Sequence, residues 1–219
     1  MYWSCVVVTF ELYGVVSLWC VCVVQPDTQE KIAIIGMEDR MAFVKVTRNS
    51  NGAVDPVVLA TLLKTQNFTD RDGNVIDNEN VVWSDVKIYN NFAFITRERN
   101  HGMQVFDLKK LRELYDRTSA DVPVEFNESD IAYFYPIINS DSETYAANCH
   151  NMVINEQTGF GYLVGTSTCS GGLHVVDISS FGKSENPEAI FVGCFDEDGY
   201  THDAVSDWLS FAPCISPHA

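Results

Sequence analysis

The chain has 219 residues, enough for one large domain or two small ones. Its formal net charge is −16, from 30 acidic and 14 basic residues. Such a field repels phosphate backbones and anionic lipid surfaces, which excludes nucleic acid as a natural partner. Aromatic residues are plentiful (13 Phe, 9 Tyr and 4 Trp), and valine and isoleucine recur in short runs. These side chains pack well on a pleated surface, so the composition favours strands.

Residues 1–26 form an apolar N-terminal segment with two interpretations. Its apolar part, 12–24 (LYGVVSLWCVCVV), is too short to span a bilayer, which requires about 20 apolar residues. A signal peptide begins with a basic region, yet no Lys or Arg precedes Lys31. A leader or anchor and a strand of the first repeat unit both remain open.

Residues 27–205 carry a repeated pattern of short strands. The first copy contains 31–36 (KIAIIG), 41–47 (MAFVKVT) and a proline-led run at 56–60. The second, 84–108, runs from a polar pair through an apolar strand, a turn and an aromatic-rich strand. A glycine loop and a third strand ending on Asp107 complete that copy. Such short apolar runs between turn signals are typical of hairpins.

The pattern continues after an insert at about 109–148, in which 108–117 (LKKLRELYDR) predicts one short helix and the rest a surface loop. The third copy, 150–178, repeats the order of the second. Its Gly172–Asp177 stretch follows the Gly102–Asp107 stretch by 70 residues, and a proline-led fourth strand is expected at 187–192. A fourth copy begins at His202 and stops after Val205, leaving 206–219 as a divergent tail.

Four short antiparallel strands per unit, repeated at 50–70 residues, describe a β-propeller blade. We therefore expect an all-β fold: a partial β-propeller of about three four-stranded antiparallel blades plus one opening strand. A propeller needs at least four blades to close its ring. This chain is thus expected to be a fragment or a part that closes its ring with a partner.

Four stretches resemble a known family. They are WSDVKIYNNFAFITRE, HGMQVFDL, CHNMVINEQTGFGYLVGTSTCSGGLHVVDIS and VGCFDEDGYTHDA. They are similar to the LVIVD-repeat β-propellers called the choice-of-anchor B family, and the resemblance covers roughly 27–205. It implies a propeller that is secreted or held at the cell surface by an anchor, and it implies no particular activity. Family chains continue past the GYTHDA motif, so the resemblance is to a truncated or partial member.

The polar pairs that open successive units are candidate metal ligands. In a propeller the first strand of each blade lines the central channel, so His150, His202, Asp85 and Asp203 would repeat around one end of it. Imidazoles and carboxylates together suit a divalent metal. Alternatively, the acidic and amide side chains bond backbone N–H groups while the histidines pack between blades.

Two acidic loops are candidates for Ca²⁺. Asp196 and Asp198 precede Gly199, and 70–74 reads DRDGN; alternating oxygen donors before a glycine supply part of a calcium shell. Neither loop has EF-hand spacing, and Asp-Gly also occurs in tight turns for purely conformational reasons.

The cysteines and sequons indicate an oxidising, extracellular compartment. Cys169 precedes the third strand of its unit and Cys194 ends the fourth, so these neighbouring strands predict a disulfide between them. Asn67 and Asn127 each begin an Asn-X-Ser/Thr sequon. Cys149, beside His150, has no third group to orient a catalytic pair and is expected to be structural.

Signatures of catalysis are absent from the sequence: it has no GxSxG, HExxH, Walker or GxGxxG motif. We therefore expect a non-enzymatic binding module, extracellular or at the cell surface, whose partner is an extracellular protein or glycan. Membrane contact is expected only through an anchor. A metal-dependent hydrolase with its site in the propeller channel is the alternative.

Overall fold

The protein is described by a computed structural model covering residues 11–12, 15–16, 20–24, 31–64, 68–69, 75–76, 84–98, 101–137, 148–197, 199–206 and 213–216. The strands in chain order are β1 (Glu11–Leu12), β2 (Val15–Val16), β3 (Cys20–Val24), β4 (Lys31–Gly36), β5 (Arg40–Arg48), β6 (Val54–Leu63), β7 (Phe68–Thr69), β8 (Val75–Ile76), β9 (Ser84–Tyr89), β10 (Phe92–Arg97), β11 (Met103–Asp107), β12 (Val124–Phe126), β13 (Tyr133–Tyr135), β14 (Asn151–Asn155), β15 (Phe160–Val164), β16 (Leu173–Asp177), β17 (Ile190–Phe195), β18 (Asp203–Ser206) and β19 (Pro213–Ser216). Short 3-10 helices lie at Leu108–Leu114, Glu128–Asp130 and Cys169–Gly171. Within these ranges no helix has the length and apolarity needed to cross a bilayer.

Three main sheets follow one another along the chain, and the expected all-β fold is confirmed. Sheet I has the order β12-β6-β5-β4-β3, sheet II β13-β11-β10-β9 and sheet III β14-β15-β16-β17. Neighbouring strands are antiparallel throughout, except that β12 pairs with β6 in parallel. Three antiparallel sets of four strands are therefore present, with β12 added at the edge of sheet I.

Sheets II and III have the same strand pairing. Phe92 lies opposite Asp107 in sheet II, and Phe160 lies opposite Asp177 in sheet III. The β9–β10 turn is Asn90-Asn91, whose φ values of 47° and 67° are those of a type I′ hairpin turn. The two closing aspartates each accept a hydrogen bond from the backbone N–H two residues later, at 2.9 and 2.8 Å. They anchor the turns that leave the third strands.

The segment between sheets II and III contains more strand than the sequence predicts. The expected short helix is the 3-10 helix Leu108–Leu114. Lys45 of β5 donates from Nζ to the carbonyl of Arg117 at 2.9 Å, which holds the end of this segment against sheet I. Farther on, β12 joins sheet I and β13 becomes the fourth strand of sheet II.

The sequence predicts a single, unpaired strand at the start of the last unit, whereas the structure has two paired strands there. The predicted strand is β18, and it pairs with β19 in a two-stranded sheet. Pro213 is the first residue of β19, a position where a strand tolerates proline although it has no N–H to donate to the ladder. Upstream, β3 forms the first strand of sheet I, the arrangement required by the strand interpretation of the N-terminal segment.

Successive sheets pack face to face. The apolar cluster between sheets I and II consists of Ile32, Ile34, Met41, Phe43, Val57, Leu59, Ala60, Leu62, Val86, Ala93, Ile95, Phe106, Leu108 and Leu111. The cluster between sheets II and III consists of Tyr89, Phe92, Phe94, Met103, Val105, Tyr135, Ile137, Cys149, Met152, Leu163, Val176, Ile178, Phe181 and Ala189. Phe43 stacks on Phe106 across the first junction, with ring centroids 4.9 Å apart.

The first strands of consecutive sheets lie side by side. In space β9 contacts β3 on one side and β14 on the other, and β14 in turn contacts β18. The residues that open these strands are consequently brought into one row, and this row positions the candidate site.

Candidate functional site at the ends of the first strands

The polar residues of the strand openings form a chain of hydrogen bonds from one unit to the next. Asp85 of β9 accepts at Oδ2 from the backbone N–H of Met152 in β14, at 2.8 Å. Asn151 of β14 donates from Nδ2 to Asp203 Oδ1 of β18, also at 2.8 Å. Each of these side chains therefore bridges to the neighbouring first strand.

The two carboxylates in this row of hydrogen bonds, those of Asp85 and Asp203, already have partners within the protein. Lys87 Nζ lies 2.6 Å from Asp85 Oδ1 and 2.8 Å from its Oδ2, which balances the Asp85 charge. Asp203 Oδ1 also accepts from the backbone N–H of Ala204 at 2.8 Å. Both carboxylates thus act as acceptors that fix neighbouring strands.

Histidines meet at one end of the same row. The His150 and His202 rings lie with centroids 4.3 Å apart and planes tilted by 52°. Nδ1 of His150 makes a close hydrogen-bonded contact with Oε1 of Glu98. Glu98 follows directly after β10 of sheet II. Tyr200 belongs to the same end of the row and is 44% exposed. Its partial burial raises the pKa of its hydroxyl, and the negative charge of Glu98 raises that pKa further. We call Glu98, His150, Tyr200 and His202 the rim.

A glycine-rich loop of sheet III packs against Tyr200 of the rim and against Thr201. Thr201 donates its backbone N–H to the carbonyl of Gly171 at 2.9 Å. A Cβ added at Gly171 would lie 3.1 Å from Tyr200 Cδ2, and one at Gly165 would lie 3.1 Å from Tyr200 Oη. At Gly172 an added Cβ would come within 2.2 Å of the Phe195 carbonyl oxygen, so only glycine fits there.

The predicted disulfide between Cys169 and Cys194 is present and tethers this loop to β17. The two residues are 25 positions apart, and their Cα atoms are separated by 5.3 Å. Through the loop that contacts Tyr200 and Thr201, the disulfide also restrains the rim.

The candidate metal ligands are only partly brought together. His150 and His202 are in contact, whereas Asp85 and Asp203 are occupied by the hydrogen bonds described above. The arrangement matches the alternative in which carboxylates bond backbone N–H groups and histidines pack between units. Throughout the described ranges, no three or more His, Cys, Asp or Glu side chains form a cluster able to hold a metal ion.

The calcium and glycosylation candidates lie partly outside the described residues. Asp198, Asn67 and the loop 70–74 fall outside them, while Asp196 is exposed. Asn127 is exposed and begins the 3-10 helix Glu128–Asp130. Its Oδ1 accepts from the backbone N–H of Ser129 at 2.9 Å. The second sequon is thus accessible at the surface.

A buried polar network between sheets II and III was not predicted, although the sequence contains a signal for it. Nε2 of His174 lies 2.9 Å from Tyr135 Oη, and its Nδ1 lies 2.9 Å from Thr168 Oγ1. Burial lowers the pKa of His174 to about 4. Gln104 occupies the equivalent position of sheet II and donates to the Leu63 carbonyl of sheet I at 3.2 Å. A polar residue second in an otherwise apolar third strand marks these contacts between sheets.

Cys149 belongs to the core and not to a reactive site. It is fully buried, and burial raises the pKa of its thiol to about 12. Because the thiolate is the nucleophilic form, this thiol is inert near neutral pH.

No family model matches this chain, and neither a curated protein nor a solved structure matches it.

Proposed function

We propose that this chain is part of a secreted or cell-surface β-propeller that acts as a binding module for an extracellular protein or glycan. The rim is its contact surface. One observation carries the proposal: residues from three consecutive units meet at a single end of the first strands, where His150 contacts both Glu98 and His202.

The packing of the sheets supports the propeller. Consecutive units form separate sheets that stack face to face, and their first strands stand in a row. In a propeller these strands surround the central channel. The hydrogen-bond chain through Asp85, Asn151 and Asp203 runs across that row, as channel-lining side chains would. The resemblance to the LVIVD-repeat family points to the same architecture.

The chemistry of the rim supports binding. Tyr200 offers a half-exposed aromatic surface, the two imidazoles offer further ring surface, and Glu98 offers a carboxylate acceptor. Aromatic faces with a few polar groups suit a sugar ring or the side chains of a peptide. The net charge of −16 disfavours strongly anionic ligands such as sulfated glycans.

Two features support an extracellular location. The Cys169–Cys194 disulfide is of the kind that persists in oxidising compartments. The exposed sequon at Asn127 would be usable there.

The test is binding of the purified protein to a glycan array and to a panel of extracellular matrix proteins, followed by rim variants. Glu98→Ala and His202→Ala should each weaken the observed binding by about tenfold, the effect of losing one charge-assisted contact. Glu113→Ala, which removes an exposed carboxylate from the helix Leu108–Leu114, is the matched control and should leave binding unchanged.

Binding that the rim variants leave unaltered would refute the rim as contact surface. Stoichiometric metal in the purified protein, lost in the His150→Ala, His202→Ala double variant, would favour the hydrolase alternative.

A further inference from the structure

Unpartnered polar atoms are concentrated at the junction of sheets I and II. In the described part of the chain, buried side-chain polar atoms without a hydrogen-bond partner include Ser84 Oγ, Thr96 Oγ1, Arg97 Nε, Arg97 Nη2, His101 Nε2 and Gln104 Oε1. Five residues of this group belong to sheet II or to its β10–β11 loop: Ser84, Thr96, Arg97, His101 and Gln104. Buried polar groups are normally satisfied, so such a concentration requires an explanation.

Arg97 is the central residue of this group. It is the last residue of β10 and is 0% exposed. Its Nη1 donates to the carbonyls of Glu38 at 3.1 Å and Met37 at 3.4 Å, in the β4–β5 turn of sheet I. Its Nε and Nη2 have no acceptor among the described residues. Nη1 therefore anchors sheet I, and within the described part of the chain the other two guanidinium nitrogens are available as donors.

Ser84 adds a third donor, located across the strand pair from Arg97. It is the first residue of β9 and lies directly opposite Arg97 in the β9–β10 ladder, so the two side chains point to the same face. Ser84 is 5% exposed and its hydroxyl has no partner in the described ranges. A Cβ added at Gly36 would lie 3.0 Å from Ser84 Cβ, which shows how closely sheet I approaches this position.

Among the described residues, the charge of Arg97 also has no hydrogen-bonded counter-charge. The carboxylate of Asp39, which acts on Arg97 through space, is bound by Arg40 Nε at 3.0 Å and by Arg40 Nη2 at 2.6 Å. Burial lowers the pKa of Arg97 to about 10, so the guanidinium is still charged at neutral pH. Isolated buried charges are costly and are normally paired.

We propose that a small anion of the size and charge of chloride binds in this junction, held by Arg97 Nε, Arg97 Nη2 and Ser84 Oγ. A water molecule could accept the same hydrogen bonds, but it would leave the guanidinium charge uncompensated. The enclosed position selects a small ion, because each of these donor atoms is inaccessible to solvent. The net charge of −16 opposes anions only at long range, since salt screens exposed charges beyond about 8 Å.

The test compares the melting temperature of the full chain in sodium chloride, sodium bromide and sodium gluconate at one ionic strength. Gluconate is a much larger anion than the halides and is expected not to enter the junction. Binding to the folded state alone should raise the melting temperature in the halides by about 5 to 10 °C when the halide is 100-fold above its dissociation constant. Arg97→Met should abolish the difference. Arg48→Met, which removes an exposed arginine of β5, should retain it.

A second variant covers the case in which Arg97→Met fails to fold. Ser84→Ala removes one donor and should weaken halide binding roughly tenfold. Crystals grown in bromide should show an anomalous peak within hydrogen-bond distance of the Arg97 guanidinium. Equal melting temperatures in halide and gluconate, an unchanged response in Ser84→Ala, or a crystal without that peak would each overturn the proposal.

Discussion

Phe181 offers the sharpest test of the packing between sheets II and III. It lies in the turn after β16 of sheet III and is 0% exposed. Its ring meets three rings of sheet II edge to face, with centroid distances of 5.3 Å to Phe92, 5.0 Å to Phe94 and 5.9 Å to Tyr133. Its carbonyl accepts from Asn90 Nδ2 at 2.9 Å.

Phe181→Ala should lower the free energy of unfolding by about 3 to 5 kcal/mol, the usual cost of removing a buried phenylalanine and leaving a cavity. The three ring contacts place the value toward the upper end, since each aromatic pair contributes about 0.5 to 1.5 kcal/mol beyond its area. For a chain of this length the melting temperature should fall by about 6 to 20 °C. Urea denaturation followed by circular dichroism measures the free energy directly.

Phe195→Ala is the matched control, because Phe195 lies on β17 of the same sheet and is 37% exposed. It should cost less than about 1 kcal/mol. If Phe181→Ala costs no more than this control, the two sheets do not share the core described here. The face-to-face stacking on which the propeller proposal depends would then be refuted.

Three further predictions concern the disulfide, pH and glycosylation. Cys194→Ser should lower the free energy of unfolding by about 3.5 kcal/mol, the chain-entropy estimate for a 25-residue separation; free thiols at Cys169 and Cys194 in the non-reduced protein would contradict it. Because burial lowers the pKa of His174 to about 4 from 6.5, the unfolded chain binds the proton first as the pH falls. The contribution of His174 to stability should be complete above about pH 6.5 and decline by up to about 3 kcal/mol toward pH 4, and His174→Gln should make the acid decline of the protein less steep; an identical pH profile in the variant would count against this reasoning. The protein secreted from eukaryotic cells should lose a glycan in Asn127→Gln, seen as increased gel mobility, and equal mobility of the two proteins would disprove use of that sequon.

Local patterns explain why much of the fold could be predicted. In β9 to β11 and β14 to β16, apolar runs are separated by turn residues, and the strand order follows directly from these signals. The strands that escaped prediction include β12, β13 and β19. Both β12 and β13 are only three residues long, and the partner of β12 is about 60 residues away in sequence. The short strand β19 likewise depends on its partner β18 more than on its own pattern.

The site was predicted in part for a related reason. His150 and His202 open successive units, so their approach follows from the repeat pattern. Glu98 and Tyr200 lie in loops, where no periodic pattern indicates which residue turns toward a neighbouring unit. The burial of Arg97 was also hidden, since a charged residue at a strand end is ordinarily expected in solvent.

The parallel pairing of β12 with β6 has a consequence for biosynthesis. The edge of sheet I at Leu62 is completed by Phe126, which leaves the ribosome 64 residues later. At about 5 to 20 residues per second, this edge stays open for roughly 3 to 13 s. During that interval the nascent chain presents an unpaired strand, and a chaperone that covers exposed strand edges would have its most useful point of action there.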